Sequence, residues 1–82
     1  MDTFMALHRL TADMFDIPPE PLSRAQTLLE VGIDSLKSVD LVLAIEKHFA
    51  ISIAAEDLGD VRSLQELAAV VDRLITRKAH HD

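Results

Sequence analysis

The sequence predicts an all-α fold, a small four-helix bundle of three long helices and one short helix, with a long loop between the first and second helices. Three segments carry apolar residues at steps of three and four positions, which is the spacing of one helix face. No segment longer than a few residues shows the alternation that is typical of a strand, and there is no internal repeat. A chain of 82 residues has room for one small core, so we expect a single domain over residues 1–82.

The first helix is predicted from four apolar residues whose spacing puts them on one face: Phe4, Leu7, Leu10 and Met14. Asp2 or Thr3 precedes them as the N-cap. The sequence DIPPEP follows, and its three prolines cannot continue a helix, so we expect a loop from about Asp16 to Asp34. Four further apolar residues are expected to pack and anchor this loop: Leu22, Leu28, Leu29 and Val31.

The second helix is predicted to begin at Asp34 or Ser35. Its apolar arc is broader than one contact with the core requires: Leu36, Val39, Val42, Leu43, Ile45 and Phe49. A short helix is expected in the sequence AAEDL, where one or two turns fit before Gly59.

The last helix is predicted from an S-x-x-E capping box formed by Ser63 and Glu66. Its apolar residues fall on one stripe: Leu64, Leu67, Ala68, Val71, Leu74 and Ile75. Arg73, Arg77 and Lys78 lie near its C-terminus, where cations complement the helix dipole.

The composition argues against several functions. The formal net charge is −6 and the few Lys and Arg residues are scattered, whereas a nucleic-acid binder needs clustered cations. The absence of cysteine excludes a disulfide framework and a thiolate metal site. The opening sequence MDTFMALHRL has no basic region followed by an unbroken apolar run, so we expect a cytoplasmic monomer without a signal peptide or membrane insertion. His80, His81 and Asp82 could bind a metal, but we expect this terminus to fray and predict no metal site.

Ser35, in the sequence VGIDSLKSVD, has more than one interpretation. Asp and Ser are both favoured N-caps, so either could serve only to begin the helix. If Gly32 forms a sharp turn and Asp34 is the cap, the Ser35 hydroxyl faces water. A hydrolase would use Ser35 as its nucleophile with His8 or His48 as base, but the chain lacks a G-x-S-x-G elbow and an obvious oxyanion loop. We therefore do not expect an enzyme.

The stretch TLLEVGIDSLKSVDLVLAIEKHFAISIAAEDLGDVRSLQELAAVV resembles the carrier proteins of fatty acid, polyketide and nonribosomal peptide synthesis. The family's G-x-D-S-L marker is matched by Gly32, Asp34, Ser35 and Leu36, and the helices that follow also fit. The resemblance implies that Ser35 carries 4'-phosphopantetheine, transferred from coenzyme A by a phosphopantetheinyl transferase. It also implies a non-catalytic carrier that presents thioesters to acyl- or aminoacyl-loading and acyl-processing enzymes.

The resemblance further implies a partner surface on the second and third helices. Nine residues are predicted to form it: Asp34, Leu36, Lys37, Asp40, Leu43, Glu46, Lys47, Glu56 and Asp57. The acids among them could instead only keep the domain soluble, and Leu36 and Leu43 could belong to the core.

The cargo is not written in the motif, which is equally compatible with an acyl carrier and an aminoacyl or peptidyl carrier; a non-carrier helical interaction domain is a third possibility. We favour a discrete acyl carrier protein, since the chain looks complete. Its second helix departs from the acidic helix of carriers in primary fatty acid synthesis, because Lys37 and Lys47 balance Asp40 and Glu46. We therefore expect a specialised lipid or secondary-metabolite pathway.

Overall fold

The computed structural model describes residues 2–79, and within them it contains helices and turns but no strand. The four α-helices are α1 (Thr3–Phe15), α2 (Pro19–Arg24), α3 (Ser35–Phe49) and α4 (Leu64–Ala79). Two single 3₁₀ turns lie between them, the first at Leu28–Val31 and the second at Ala55–Leu58. The predicted all-α fold with three long helices is confirmed.

Helix α1 begins where the sequence predicted, and its predicted apolar face packs inward except at its last residue, Met14. The Asp2 carboxylate accepts hydrogen bonds from the backbone N–H groups of Phe4 (3.0 Å) and Met5 (3.4 Å), which identifies Asp2 as the N-cap. Met14, predicted on the core face, is 38% exposed, whereas Thr11 is fully buried. A hydroxyl can be buried at this position because the helix supplies its acceptor: Thr11 Oγ1 donates to the Leu7 carbonyl at 2.8 Å.

The predicted loop contains the short helix α2, which the sequence interpretation excluded because of the prolines. Pro19 is the first residue of α2, a position whose N–H has no helical acceptor and whose fixed φ suits a helix start. Leu22 is 2% exposed and fastens α2 to the core. The ring nitrogen Nε2 of His8 lies 2.8 Å from Ser23 Oγ and 3.2 Å from the Pro19 carbonyl oxygen, which links α2 to α1. The short helix expected at AAEDL is instead the second 3₁₀ turn.

Helix α4 provides the largest share of the core. Glu66 Oε1 accepts from the N–H groups of Arg62 (2.9 Å) and Ser63 (3.1 Å), and Ser63 Oγ accepts from the Glu66 N–H at 3.1 Å, so the predicted capping box is present. These bonds, the one from Arg62 first, hold the pKa of the Glu66 carboxyl below its usual value. Six residues of α4 are buried: Leu64, Leu67, Ala68, Val70, Val71 and Leu74. Helix α1 packs along this stripe.

Helix α3 ends at Phe49, where Ala50 adopts a left-handed conformation with φ of 55°. The Lys78 ammonium group on α4 donates a hydrogen bond to the Ala50 carbonyl, which joins the C-terminal ends of the two helices. None of the helices in residues 2–79 is both long and apolar enough to cross a bilayer.

Candidate functional site at the start of α3

Ser35 is the first residue of α3, but it is not the residue that caps the helix. Asp34 is the N-cap: its carboxylate accepts from the Lys37 N–H at 3.0 Å and its carbonyl accepts from the Ser38 N–H at 2.8 Å. Ser35 is exposed, and its hydroxyl forms no hydrogen bond to any group in residues 2–79. The serine side chain is therefore available for covalent attachment.

The backbone at this helix end favours an anion. The N–H groups of Ser35 and Leu36 lie in the first turn of α3, where no intrahelical acceptor exists. The positive end of the helix dipole lies at the same place. A phosphate group on the Ser35 oxygen would meet these unsatisfied donors, so the modified side chain is compatible with the helix start.

A turn at Gly32 determines where α3 starts. Gly32 has φ of 85° and ψ of 10°, a left-handed conformation that glycine adopts without strain. Its N–H donates to the Leu29 carbonyl at 3.0 Å, and the N–H of buried Ile33 donates to the Leu28 carbonyl at 3.1 Å. The chain thus leaves the first 3₁₀ turn and enters α3 in a defined direction.

The first 3₁₀ turn is itself held in place from two sides. The Glu30 carboxylate accepts from the N–H groups of Gln26 (2.8 Å) and Thr27 (2.7 Å). The Leu28 N–H donates to the Arg62 carbonyl at 2.9 Å, which ties the turn to the segment before α4. These bonds hold the segment that leads to Ser35 in a fixed position on the domain.

An open cavity of about 290 Å³ lies beside Ser35. Its walls are mainly apolar, from Leu28, Ile33 and Val61, and Arg62 stands among its lining residues. This cavity lies between the first 3₁₀ turn, the start of α3 and the segment before α4.

Neither histidine considered as a base lies at Ser35. His8 Nε2 contacts Ser23 and Pro19, and neither His8 nor His48 lines the cavity. His48 is on the last turn of α3, about 20 Å along the helix axis from Ser35 at 1.5 Å per residue. The geometry gives no support to the hydrolase alternative.

The apolar residues of α3 fall into two groups. Leu41 and Ile45 are fully buried, whereas Leu36 is 80% exposed and Val39 and Leu43 are each 57% exposed. The alternative that Leu36 and Leu43 belong to the core is therefore wrong. The sequence interpretation did not assign Leu41 to the core or Val39 to the partner surface; both had helical spacing as their signal, but that signal could not decide which side faces inward.

Of the charged residues predicted to meet partners, five are exposed: Asp34, Lys37, Asp40, Lys47 and Glu56.

Two others are partly buried and have partners within the chain. Glu46 accepts from the Ile53 N–H at 2.7 Å, and Asp57 accepts from the Ala54 N–H at 2.9 Å. An Arg73 guanidinium nitrogen also lies 3.4 Å from Asp57. Glu46 and Asp57 thus help to hold the segment between α3 and α4.

No group of three or more His, Asp or Glu side chains in residues 2–79 is placed to hold a metal ion. His80, His81 and Asp82, the residues considered as metal ligands, lie outside the described residues.

Comparison with known proteins gives a match to a family model and a match to a solved structure. Residues 6–71 match the family described as "Phosphopantetheine attachment site". The fold is similar to the solution NMR structure of a holo acyl carrier protein from Geobacter metallireducens, with a TM-score of 0.82 and 30% sequence identity. That match covers 100% of this chain and 97% of the other.

The sequence is also similar to parts of longer proteins. It is 33% identical over 58 residues to acyl carrier protein 4 from the chloroplast of Arabidopsis thaliana, a match of 71% of this chain and 42% of that protein. It is 28% identical over 68 residues to a non-reducing polyketide synthase of Aspergillus novofumigatus, a match of 83% of this chain but 3% of the synthase. The chain thus spans less than half the length of either relative.

Proposed function

The chain belongs to the phosphopantetheine-attachment family of acyl carrier proteins, whose cofactor is covalently bound, and we propose from this premise that Ser35 is the attachment residue. One observation carries the proposal: Ser35 lies at the exposed start of α3 with a free hydroxyl, while Asp34 performs the capping that a serine could otherwise provide. The residues around Ser35 also fit the group, since the N–H groups of Ser35 and Leu36 suit a phosphodiester and the adjacent cavity leaves space beside it.

The amino-acid composition of the chain is compatible with carrying cargo as a thioester. Bound phosphopantetheine supplies a thiol on which cargo is held as a thioester. The sequence has no cysteine, so no side-chain thiol can attack that thioester from within the chain. Tethering raises the effective concentration of the cargo at a docked enzyme. We infer a non-catalytic carrier whose partners are a phosphopantetheinyl transferase and enzymes that load and process acyl groups.

We further propose that the exposed apolar side chains Leu36, Val39 and Leu43 form the centre of the partner surface. Single exposed apolar residues are common, but three on one helix beside the attachment serine form a patch that partners can cover. A domain that acts as one unit over residues 1–82 and a monomer in the cytoplasm remain predictions.

The charge of α3 supports a specialised acyl pathway. Lys37, Lys47 and Asp40 are exposed, but Glu46 is partly buried and occupied by the Ile53 N–H. The exposed Lys, Asp and Glu charges of α3 therefore sum to a positive value, which disfavours docking to a basic surface. The relatives include both plant acyl carrier proteins and polyketide synthases, and the pathway we propose is a modified-lipid or secondary-metabolite one.

Intact-mass analysis tests the attachment residue. The chain is incubated with coenzyme A and a broad-specificity phosphopantetheinyl transferase, and one added phosphopantetheinyl group on Ser35 is expected. Ser35→Ala should stay folded and unmodified, whereas Ser38→Ala, a change at a second serine of the same cavity, should be modified like the wild type. Modification of Ser35→Ala, or none of the wild type with several transferases, would contradict the proposal. Ester hydrolysis without any transferase would instead support a hydrolase.

Charge reversal tests the pathway. We expect Lys37→Glu combined with Lys47→Glu to improve elongation by enzymes of primary fatty acid synthesis and to make it more sensitive to salt. Arg9→Glu combined with Arg77→Glu changes the net charge equally outside α3 and should have a smaller effect. Elongation rates of the holo proteins over a salt series measure this. A wild type that already equals a housekeeping carrier would contradict the specialised assignment.

A further inference from the structure

The cavity beside Ser35 contains one cationic side chain among its lining residues, and that side chain is Arg62. The backbone of Arg62 is fixed on both sides. Its carbonyl accepts from the Leu28 N–H at 2.9 Å, and its N–H donates to Glu66 at 2.9 Å. These two bonds hold the base of the Arg62 side chain at the cavity wall, opposite the start of α3.

The guanidinium group of Arg62 forms no hydrogen bond or ion pair with any group in residues 2–79. Two other arginines do, since Arg24 lies 2.7 Å from Glu20 and Arg73 lies 3.4 Å from Asp57, whereas Arg9 and Arg77 have no such partner within residues 2–79. Asp60 and Glu66 are the acids nearest to Arg62 in sequence, and within residues 2–79 neither forms an ion pair with its guanidinium. The Arg62 charge adds to the lowering of the pKa of the Glu66 carboxyl, after the larger effect of the hydrogen bond from the Arg62 backbone N–H. The five N–H donors of the Arg62 guanidinium are thus available to a ligand.

The side chains around Ser35 are acidic, so a cation at Arg62 would be favourable there. Asp34 lines the same cavity, and Glu30 lies in the turn that leads to Ser35. Both carboxylates are used by backbone N–H groups and cannot move away without breaking those bonds. A phosphodiester on Ser35 adds another negative charge to this acidic surrounding, and a nearby cation offsets the repulsion.

We propose that Arg62 binds the phosphodiester carried by Ser35 and holds the base of the prosthetic arm over the cavity. The proposal rests on Ser35 as the attachment residue. Arginine suits this role because its planar fork donates two parallel hydrogen bonds to phosphate oxygens, which a lysine ammonium cannot do. Lys37 is a second cation near Ser35, but it does not line the cavity, so it serves as the matched control.

Phosphorus-31 NMR of the holo protein tests the proposal. The wild type is compared with Arg62→Gln, Arg62→Lys and Lys37→Gln at low and high salt, and amide spectra of each apo protein check that the fold is unchanged. We expect the phosphodiester resonance of Arg62→Gln to move toward that of free phosphopantetheine and to narrow. Arg62→Lys should retain part of the wild-type shift, and Lys37→Gln should retain nearly all of it. High salt should reduce the difference between wild type and Arg62→Gln.

The samples also separate failure of this inference from failure of the proposed function. Intact mass identifies which proteins carry the group and on which serine. A wild type that takes up no group on Ser35 overturns both proposals. A holo wild type whose phosphorus resonance is the same in Arg62→Gln, or that shifts equally in Lys37→Gln, overturns the role of Arg62 alone.

Discussion

Helices α3 and α4 are almost equal in length, at 15 and 16 residues, but they use their apolar side chains differently. Helix α4 buries six residues on one stripe and leaves polar side chains on the other side. Helix α3 buries only Leu41 and Ile45, while Leu36, Val39 and Leu43 remain largely exposed.

We propose that this difference reflects two roles, stability for α4 and recognition for the exposed face of α3. Apolar area removed from water stabilises the fold at about 25 cal/mol per Å², so the stripe of α4 contributes directly to folding. The exposed side chains of α3 contribute little to folding of the free protein. A partner that covers them removes this apolar area from water on binding, and this is the reason for the proposed role of this face of α3 in recognition.

Truncating one leucine on each helix should show the largest difference in stability between α3 and α4. Leu67 on α4 is 2% exposed, so Leu67→Ala should lower the free energy of unfolding by about 2–5 kcal/mol through lost burial and a cavity. Leu43→Ala should change it by less than about 0.5 kcal/mol. Urea unfolding at constant protein concentration measures both. Similar losses for the two variants would mean that α3 and α4 do not divide their roles as we describe.

The segments that precede α3 and α4 each contain one glycine, and the two glycines differ in backbone conformation. Gly32→Val should destabilise the fold by about 1–2 kcal/mol, because a branched side chain is strained at φ of 85° even though an added Cβ meets no atom within 4 Å. Gly59→Ala is the control: its φ is −49° and an added Cβ would lie 3.7 Å from the Glu56 carbonyl oxygen, an ordinary contact. The melting temperature and the rate of modification by the transferase should both fall for Gly32→Val but not for Gly59→Ala. Equal effects at the two positions would show that a side chain at position 32 causes no strain in the turn before α3.

The cap of α4 gives the smallest expected effect. Hydrogen bonds led by the Arg62 N–H lower the pKa of the Glu66 carboxyl in the folded chain, so ionised Glu66 stabilises the fold. That stabilisation is complete above the unfolded pKa of a glutamate, about 4.3, and is lost as the pH falls through the lower folded value. The free energy of unfolding, measured over this acidic pH range, should therefore depend less on pH in Glu66→Gln than in the wild type.

Glu56→Gln serves as the control for that measurement, because Glu56 is exposed and its carboxylate accepts no hydrogen bond from any group in residues 2–79. An identical pH profile for wild type and Glu66→Gln would contradict the role of this carboxylate at the start of α4.

The starts of the long helices could be predicted because their signals are local. Asp2, Asp34 and the pair Ser63 and Glu66 lie within four residues of the N–H groups that they cap. Asp2 and Asp34 are each one of the two cap candidates that the sequence offers at their helix, and the capping box is the one expected. Helix α2 escapes the sequence prediction because prolines usually end a helix, although a helix tolerates proline in its first turn.

The division of α3 into two faces could not be predicted in the same way. Apolar residues surround much of the helix, so periodicity identified a helix but could not choose Leu41 rather than Leu43 for the core. Ser35 can be proposed from the sequence alone because its motif is continuous in sequence. Arg62 lies far from Ser35 along the chain, and only folding of the segment before α4 brings it to the same cavity.

The kinetics of Ser35 modification test most directly the claim that the exposed face of α3 serves recognition. We compare kcat/KM of a phosphopantetheinyl transferase for the wild type, for Leu36→Ala combined with Leu43→Ala, and for Met5→Ala, which truncates an exposed side chain on α1. We expect kcat/KM to fall about tenfold or more for the α3 variant, mainly through KM, with unchanged stability, and we expect no loss for Met5→Ala. A stable α3 variant modified as efficiently as the wild type would contradict it.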